Sequence, residues 1–341
     1  MMKTESFPFK LLIAGLAMLS AIMAVSFFWI TAFSPIMENV SLGGARSLSI
    51  SLIIIAQEQG FFTHEGVDLF FQEYPSGSLA LDALCEQQLD LAVAAETPVV
   101  FKSFARDDVR IVASLFSAYN DPKVIARKTS GIEKPTDLRG KRIGTTPQGQ
   151  STHYFLHLFL TKYGLSEQDV ALSLACPEKL RQDFISGKLD AISLFEPYIS
   201  ELADAYSSET ILFSEPGLYL KHALLMTSAH FTEQRPQAIQ KVLRALMRAN
   251  DFARQQPERA RQIVVRALAI SVPEVRELWA DTVLEVSLGQ SLLLSLENEA
   301  KWGIANRVTD HKTIPNYLQL ISVEGLKSVA PESVTIYSVS E

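Results

Sequence analysis

Leu79 to Pro98 reads LALDALCEQQLDLAVAAETP, and Leu180 to Pro197 reads LRQDFISGKLDAISLFEP. In each stretch an amphipathic helical pattern runs into a Leu-Asp pair, Leu89-Asp90 or Leu189-Asp190. An apolar run of strand length follows, and a glutamate, Glu96 or Glu196, stands six residues after the aspartate. A buried strand that stops at an acid places the acid at the rim of a sheet, where open α/β sheets hold ligands. The device occurs twice, which predicts two similar α/β lobes whose rims face one cleft. A chance recurrence of a common helix–strand unit is the plain alternative.

Working outward, strand and helix patterns alternate. Leu48–Ile55 reads as the first strand, followed by a short helix to Phe62, a strand at 67–72 and a helix at 79–87. Strands follow at 91–95 and 109–115. The second lobe reuses the recipe with strands at 140–144, 170–174 and 191–195 and helices at 153–163 and 178–186. Leu224–Thr227 reads as a returning strand. The remainder reads as helices at 237–255, 257–267, 273–286 and 290–303.

The composition fits such a body. Of 341 residues, 48% are apolar and 20% charged, as in globular chains. The net charge is −7, and −8 without residues 1–33. That acidity argues against a nucleic-acid partner held through phosphates. Cys85 and Cys176 fall in different lobes, so two separate thiols are expected.

The N-terminus carries an address. Leu11 to Phe33 is 23 residues without a charge, preceded by Lys3 and Lys10. As a helix it measures about 34 Å, enough to cross a bilayer core. An uncleaved anchor with its short end in the cytoplasm and a cleaved export signal both fit; no clean cleavage site follows. Residues 34–45, with Pro35, Gly43 and Gly44, read as a tether.

Catalytic signatures are scarce: no phosphate-binding loop, dinucleotide fingerprint or nucleophile elbow is present. His153 and His157 share a helix face at metal-ligand spacing, but no third ligand is fixed nearby, so neither a metal nor a cofactor is expected. What the sequence offers is an anion cradle. Gln148–His153 joins a strand to a helix, so a glycine turn, unpaired first-turn N–H groups and the hydroxyls of Ser151 and Thr152 could converge on an oxyanion. Ser151 as a mere helix cap is the alternative reading. His153 is a candidate hydrogen-bonding group, and Ser76-Gly77-Ser78 is the counterpart loop in the first lobe. Glu96 and Glu196 would then meet a cationic or hydroxyl group of the same ligand.

An ordered series of motifs extends this reading. It comprises Ala56-Gln57-Glu58-Gln59-Gly60-Phe61-Phe62, Glu65-Gly66-Val67-Asp68, Ser76-Gly77, Gln88-Leu89-Asp90, Asp137–Gly144, Gly187–Ala191 and Phe195-Glu196-Pro197-Tyr198. Ile314–Leu318, Glu324-Gly325-Leu326 and Pro331-Glu332 close it. The chain thereby resembles periplasmic solute-binding proteins of the nitrate/sulfonate/taurine group, relatives of thiamine-pyrimidine synthesis proteins. The resemblance implies an α/β, two-lobed periplasmic-binding-protein-like fold of type II with a ligand cleft; the apolar N-terminal run adds one transmembrane helix, a departure from the cleaved signal or lipidated cysteine of exported family members. It implies lobe one at 46–120 and 218–341, lobe two at 121–217, and two crossings between them. By position, the family's ligand contacts fall on Ser76, Gly77, Ser78, Glu96, Thr97, Gln150, Ser151, Thr152, Phe195, Glu196 and Tyr198. The implied function is binding of a small polar or anionic solute for the permease and ATPase of an ABC importer, without catalysis, on the periplasmic side of the membrane. A membrane-tethered receptor with a signalling partner and a pyrimidine-precursor enzyme are the alternatives.

Overall fold

The computed structural model describes residues 37–269 and 279–336. The N-terminal apolar segment lies outside them; among the described residues no helix is long and apolar enough to cross a membrane. Eleven strands are described: β1 Glu38–Ala45, β2 Val67–Tyr74, β3 Leu91–Ala95, β4 Val109–Ala118, β5 Lys123–Arg127, β6 Arg142–Thr145, β7 Ala171–Leu174, β8 Ala191–Leu194, β9 Thr210–Phe213, β10 Lys221–Ser228 and β11 Thr282–Ser287. They form two sheets, ordered β11-β4-β10-β3-β1-β2 and β7-β6-β8-β5-β9. Among the described residues the helices of eight residues or more are α1 Ser51–Glu58, α2 Gly77–Cys85, α3 Glu96–Ser103, α4 Ser151–Lys162, α5 Pro177–Ile185, α6 Tyr198–Ala205, α7 Pro236–Gln255, α8 Pro257–Leu268 and α9 Gln290–Ala305.

The chain passes from the first sheet to the second between Ala118 and Lys123 and returns between Phe213 and Lys221. In both sheets a central strand (β3 or β8) runs parallel to one neighbour and antiparallel to a strand that begins at a crossing (β10 or β5). The ends of β1, β3, β6 and β8 and the starts of β5 and β10 therefore collect at the two facing rims.

The repeated Leu-Asp pair is a strut in each lobe. Asp90 Oδ2 accepts the Ser41 N–H at 2.8 Å and its hydroxyl at 2.9 Å, tying the start of β3 to β1. Asp190 Oδ2 accepts the Arg142 N–H at 2.9 Å, tying the start of β8 to β6. The leucines repeat the logic: a Cβ on Gly43 would lie 2.4 Å from Leu89 Cδ1, and one on Gly144 would lie 2.6 Å from Leu189 Cδ1. At both places the absence of a Cβ lets the leucine side chain lie directly on the strand, and any larger residue would force that side chain to shift.

Three expectations fail. Residues 38–45, read as part of a tether, form β1 inside the first sheet. Gly43 and Gly44 mark crowding by Leu89, Tyr74 and Ile50, not slack chain. Leu48–Ile55, read as the first strand, is a short 3₁₀ turn and then α1. Its β-branched Ile53 and Ile55 are buried beneath neighbouring helices, so tertiary packing overrides strand propensity. Thr282–Ser287, read within a helix, is the edge strand β11 on β4; it alternates half-buried and exposed positions with Val286 alone fully buried, over too short a span to separate the two periods.

The first lobe has one large apolar cluster and the second lobe two smaller ones. Trp302, near the end of α9, belongs to a second-lobe cluster, with its ring 4.7 Å from Tyr154 of α4. Phe101 of α3 packs against clusters of both lobes. The joint between the lobes is thus apolar and dense beside the crossings.

Candidate functional site

A cavity of about 60 Å³ opens between the rims. From the first lobe it is walled by the turn after β1 (Ala45, Ser47, Ser49, Ile50), the loop entering α2 (Ser76, Gly77, Ser78) and the end of β3 with Pro98. The second lobe supplies Gln150, Ser151 and Phe195, and the second crossing supplies Lys221.

Local structure explains this wall. Ser76 caps α2 by accepting the Leu79 N–H at 3.3 Å. Gly77 is pressed onto β3: a Cβ there would meet Ala94 Cα at 2.8 Å. Across the cleft, Gly149 has φ +78°, a left-handed turn that delivers Gln150 and Ser151 to the start of α4. Gln150 is the N-cap residue of α4 and no side chain caps this helix, so first-turn N–H groups remain for a ligand. Behind the loop, Thr152 Oγ1 lies 2.5 Å from Thr146 Oγ1 and fixes the turn.

Lys221 is the cation of this wall. Its ammonium binds Asp121 of the first crossing and stands 5.3 Å from the Phe195 ring centre. Both partners of the ion pair are almost buried. Five serines and this held lysine face an apolar side made by Ile50, Val93, Pro98 and Phe195. Such a wall can hold a compact anionic head and a short apolar tail.

Of the residues singled out in the sequence, Ser76, Gly77, Ser78, Gln150, Ser151 and Phe195 line the cavity. Glu96, Thr97, Thr152, His153, Glu196 and Tyr198 are not among its lining residues. The two glutamates depart from expectation together. Glu96 is fully buried and accepts the Tyr219 hydroxyl at 2.5 Å and the His222 N–H at 2.9 Å. Glu196 accepts Lys123 Nζ at 2.5 Å and the Ser200 N–H at 3.0 Å. Each braces the start of a crossing strand, β10 or β5. They do not line the cavity because a buried carboxylate is held by the donors packed around it.

The others have structural partners too. Thr97 Oγ1 is 3.3 Å from the Tyr219 hydroxyl, and Tyr198 donates to Glu178 at 2.6 Å. His153 and His157 stand 3.2 and 3.6 Å from the same oxygen of Glu167. Burial opposes ionisation of Glu167, but the two imidazoles outweigh it and bring its carboxyl down to about 2. Among the described residues no cluster of His, Cys, Asp and Glu forms a metal site, and Cys85 and Cys176 are separate free thiols.

Lys221, Ser47 and Ser49 were missed. The serines follow the stretch misread as tether. Lys221 opens a strand whose beginning the apolar pattern placed later, at Leu224; a lone cation preceding a buried strand was the available signal.

Two facing α/β lobes with a small polar cavity between their rims define a periplasmic-binding-protein-like molecule. Residues 48–260 match the family described as "NMT1/THI5 like", and the chain belongs to that family. It is 24% identical over 217 residues to a Bacillus subtilis protein named for binding aliphatic sulfonates, a match covering 62% of this chain and 64% of that one. It is 24% identical over 267 residues to an Escherichia coli protein of the same description, covering 78% and 81%. The fold resembles the alkanesulfonate-binding protein SsuA from Xanthomonas axonopodis pv. citri bound to MOPS, with TM-score 0.72, 20% identity, and 84% and 98% of the two chains covered.

Proposed function

We propose that this protein binds a small organic anion, of the alkyl sulfonate class, on the periplasmic side of the membrane and presents it to the permease and ATPase of an ABC importer. The observation that carries this reading is the cavity wall itself: serine hydroxyls and Lys221 beside Ile50, Val93 and Phe195. Hydroxyls, a lysine and first-turn N–H groups suit a sulfonate head, and the apolar side suits its carbon tail. The relatives named for sulfonate binding support the same class. With Glu96 and Glu196 turned inward, a taurine-like ammonium has no carboxylate in the wall, which favours simple sulfonates over zwitterions. No histidine, cysteine or carboxylate stands among the lining residues, which favours binding over turnover. The lobes, residues 38–120 with 218–336 and residues 121–217, then close about the two crossings. The N-terminal segment serves as anchor or export signal.

Calorimetric titration with ethanesulfonate, taurine and nitrate tests this. Ethanesulfonate is expected to bind more tightly than the other two. Binding of nitrate alone, or of none of the three, would overturn the ligand class.

A further inference from the structure

Glu96, at the start of α3, and Glu299, in the middle of α9, are sealed inside the protein at 0% and 1% exposure. The two helices pack together. Glu96 is served by Tyr219 and His222, but neither oxygen of Glu299 has a well-formed hydrogen bond; the Thr97 hydroxyl and the Glu96 carboxyl lie beside it. Two dry carboxyls in contact cannot both be ionised without a counter-charge.

Among the described residues the surroundings supply no cation that is not already paired. Lys221, whose charge reaches Glu96, is bound to Asp121, and Lys102 of α3 pairs with Asp82 of α2. His222 of β10 is pushed down to about 4 by burial, so it is neutral near pH 7. Tyr219, Tyr154 of α4 and Tyr317 also face the pair, and burial raises all three phenols. Burial raises Glu96 to about 7 and lifts Glu299 well above its ordinary value, with the Glu96 charge adding to the effect.

The pair sits where the lobes meet. Tyr219, which donates to Glu96, is on the second crossing with its ring 5.5 Å from Tyr154. Trp302, less than one turn beyond Glu299, packs 4.7 Å from that same tyrosine and 5.5 Å from His153. Parting α4 from α9 would remove this cover and let water reach the acids.

We propose that Glu96 and Glu299 form a proton-operated latch on lobe closure: while the pair holds a proton the joint stays dry and shut, and loss of that proton to solvent admits water and parts the lobes. The latch acts on the protein itself and does not depend on which solute the cleft takes.

The test follows the emission wavelength of Trp302 in the full chain carrying Trp29→Phe and Trp279→Phe, titrated from about pH 5.5 to about pH 9. The expected result is a red shift with rising pH, at unchanged far-UV circular dichroism, that disappears in both Glu96→Gln and Glu299→Gln. His153 and His157 lie against Trp302, with Glu167 beside them, and can alter its intensity, but that effect would survive both substitutions. A pH-independent wavelength overturns the proposal. So does a shift that persists in both variants, or one that coincides with loss of helical signal. If a glutamine variant does not fold, Glu299→Met replaces it, and a flat titration of the parent chain remains decisive.

Discussion

Replacing Lys221 with Met should damage two properties by separable amounts. The ammonium is bound to Asp121, and both side chains are only 8% exposed. Removing it strands a carboxylate between the crossings, which typically costs about 3–5 kcal/mol of folding stability. It also removes the cation of the cavity wall. A charge-assisted hydrogen bond to a buried anion is worth roughly 1.5–3 kcal/mol, so affinity should fall about ten- to a hundredfold. Adding Asp121→Asn to Lys221→Met removes the stranded charge. The double variant should regain most of the lost stability, measured by urea unfolding, yet remain as weak a binder of ethanesulfonate as the single variant, measured by calorimetry. Recovery of affinity together with stability would refute the reasoning, because Lys221 would then act only as a strut between the crossings.

Ser151→Ala should weaken ethanesulfonate binding at least about tenfold, whereas His157→Ala, a turn further along α4 and paired with Glu167, should change it less than about threefold; parallel calorimetric titrations decide between them. Gly43→Ala drives a Cβ to within 2.4 Å of Leu89 Cδ1 and should destabilise the first lobe by about 1–3 kcal/mol, with Leu89→Ala suppressing part of that loss; equal and additive losses in thermal unfolding would exclude the contact. Stability should also depend on pH through Glu96. Its folded value of about 7 lies above the ordinary 4.5, so the folded state holds the proton more tightly and stability declines as pH rises from about 4.5 to about 7. Glu96→Gln should flatten that part of the denaturation-against-pH curve.

The lobes were legible because Leu89-Asp90 and Leu189-Asp190 perform the same structural task twice, and a task done by contacts so close to the chain leaves a pattern in it. That the loops at 76–78 and 150–151 stand at helix starts was legible for a similar reason: serine and glycine at a helix start leave a local mark in the chain. What misled was any element whose residues answer to distant neighbours. Gly43 and Gly44 look like slack until Leu89, Tyr74 and Ile50 are seen pressing on them. The isoleucines of α1 look like a strand until neighbouring helices bury them. Glu96 and Glu196 stand at the rims as expected, but the direction of a side chain at a rim is set by Tyr219, His222 and Lys123, which arrive from elsewhere in the chain. Lys221 escaped because its importance comes from Asp121 and Phe195, partners that nothing in its own segment announces.

The struts at Asp90 and Asp190 stand at the beginnings of β3 and β8, while the cavity touches β3 from its middle, Val93, to its far end and meets the second sheet only at Phe195, just past β8. Bracing each lobe and lining the cavity are therefore assigned to different parts of each sheet. Ser47, Ser78, Ser151 or Phe195 could be exchanged, and the cavity wall rewritten, without disturbing a single strut. The architecture separates what must persist from what is free to drift.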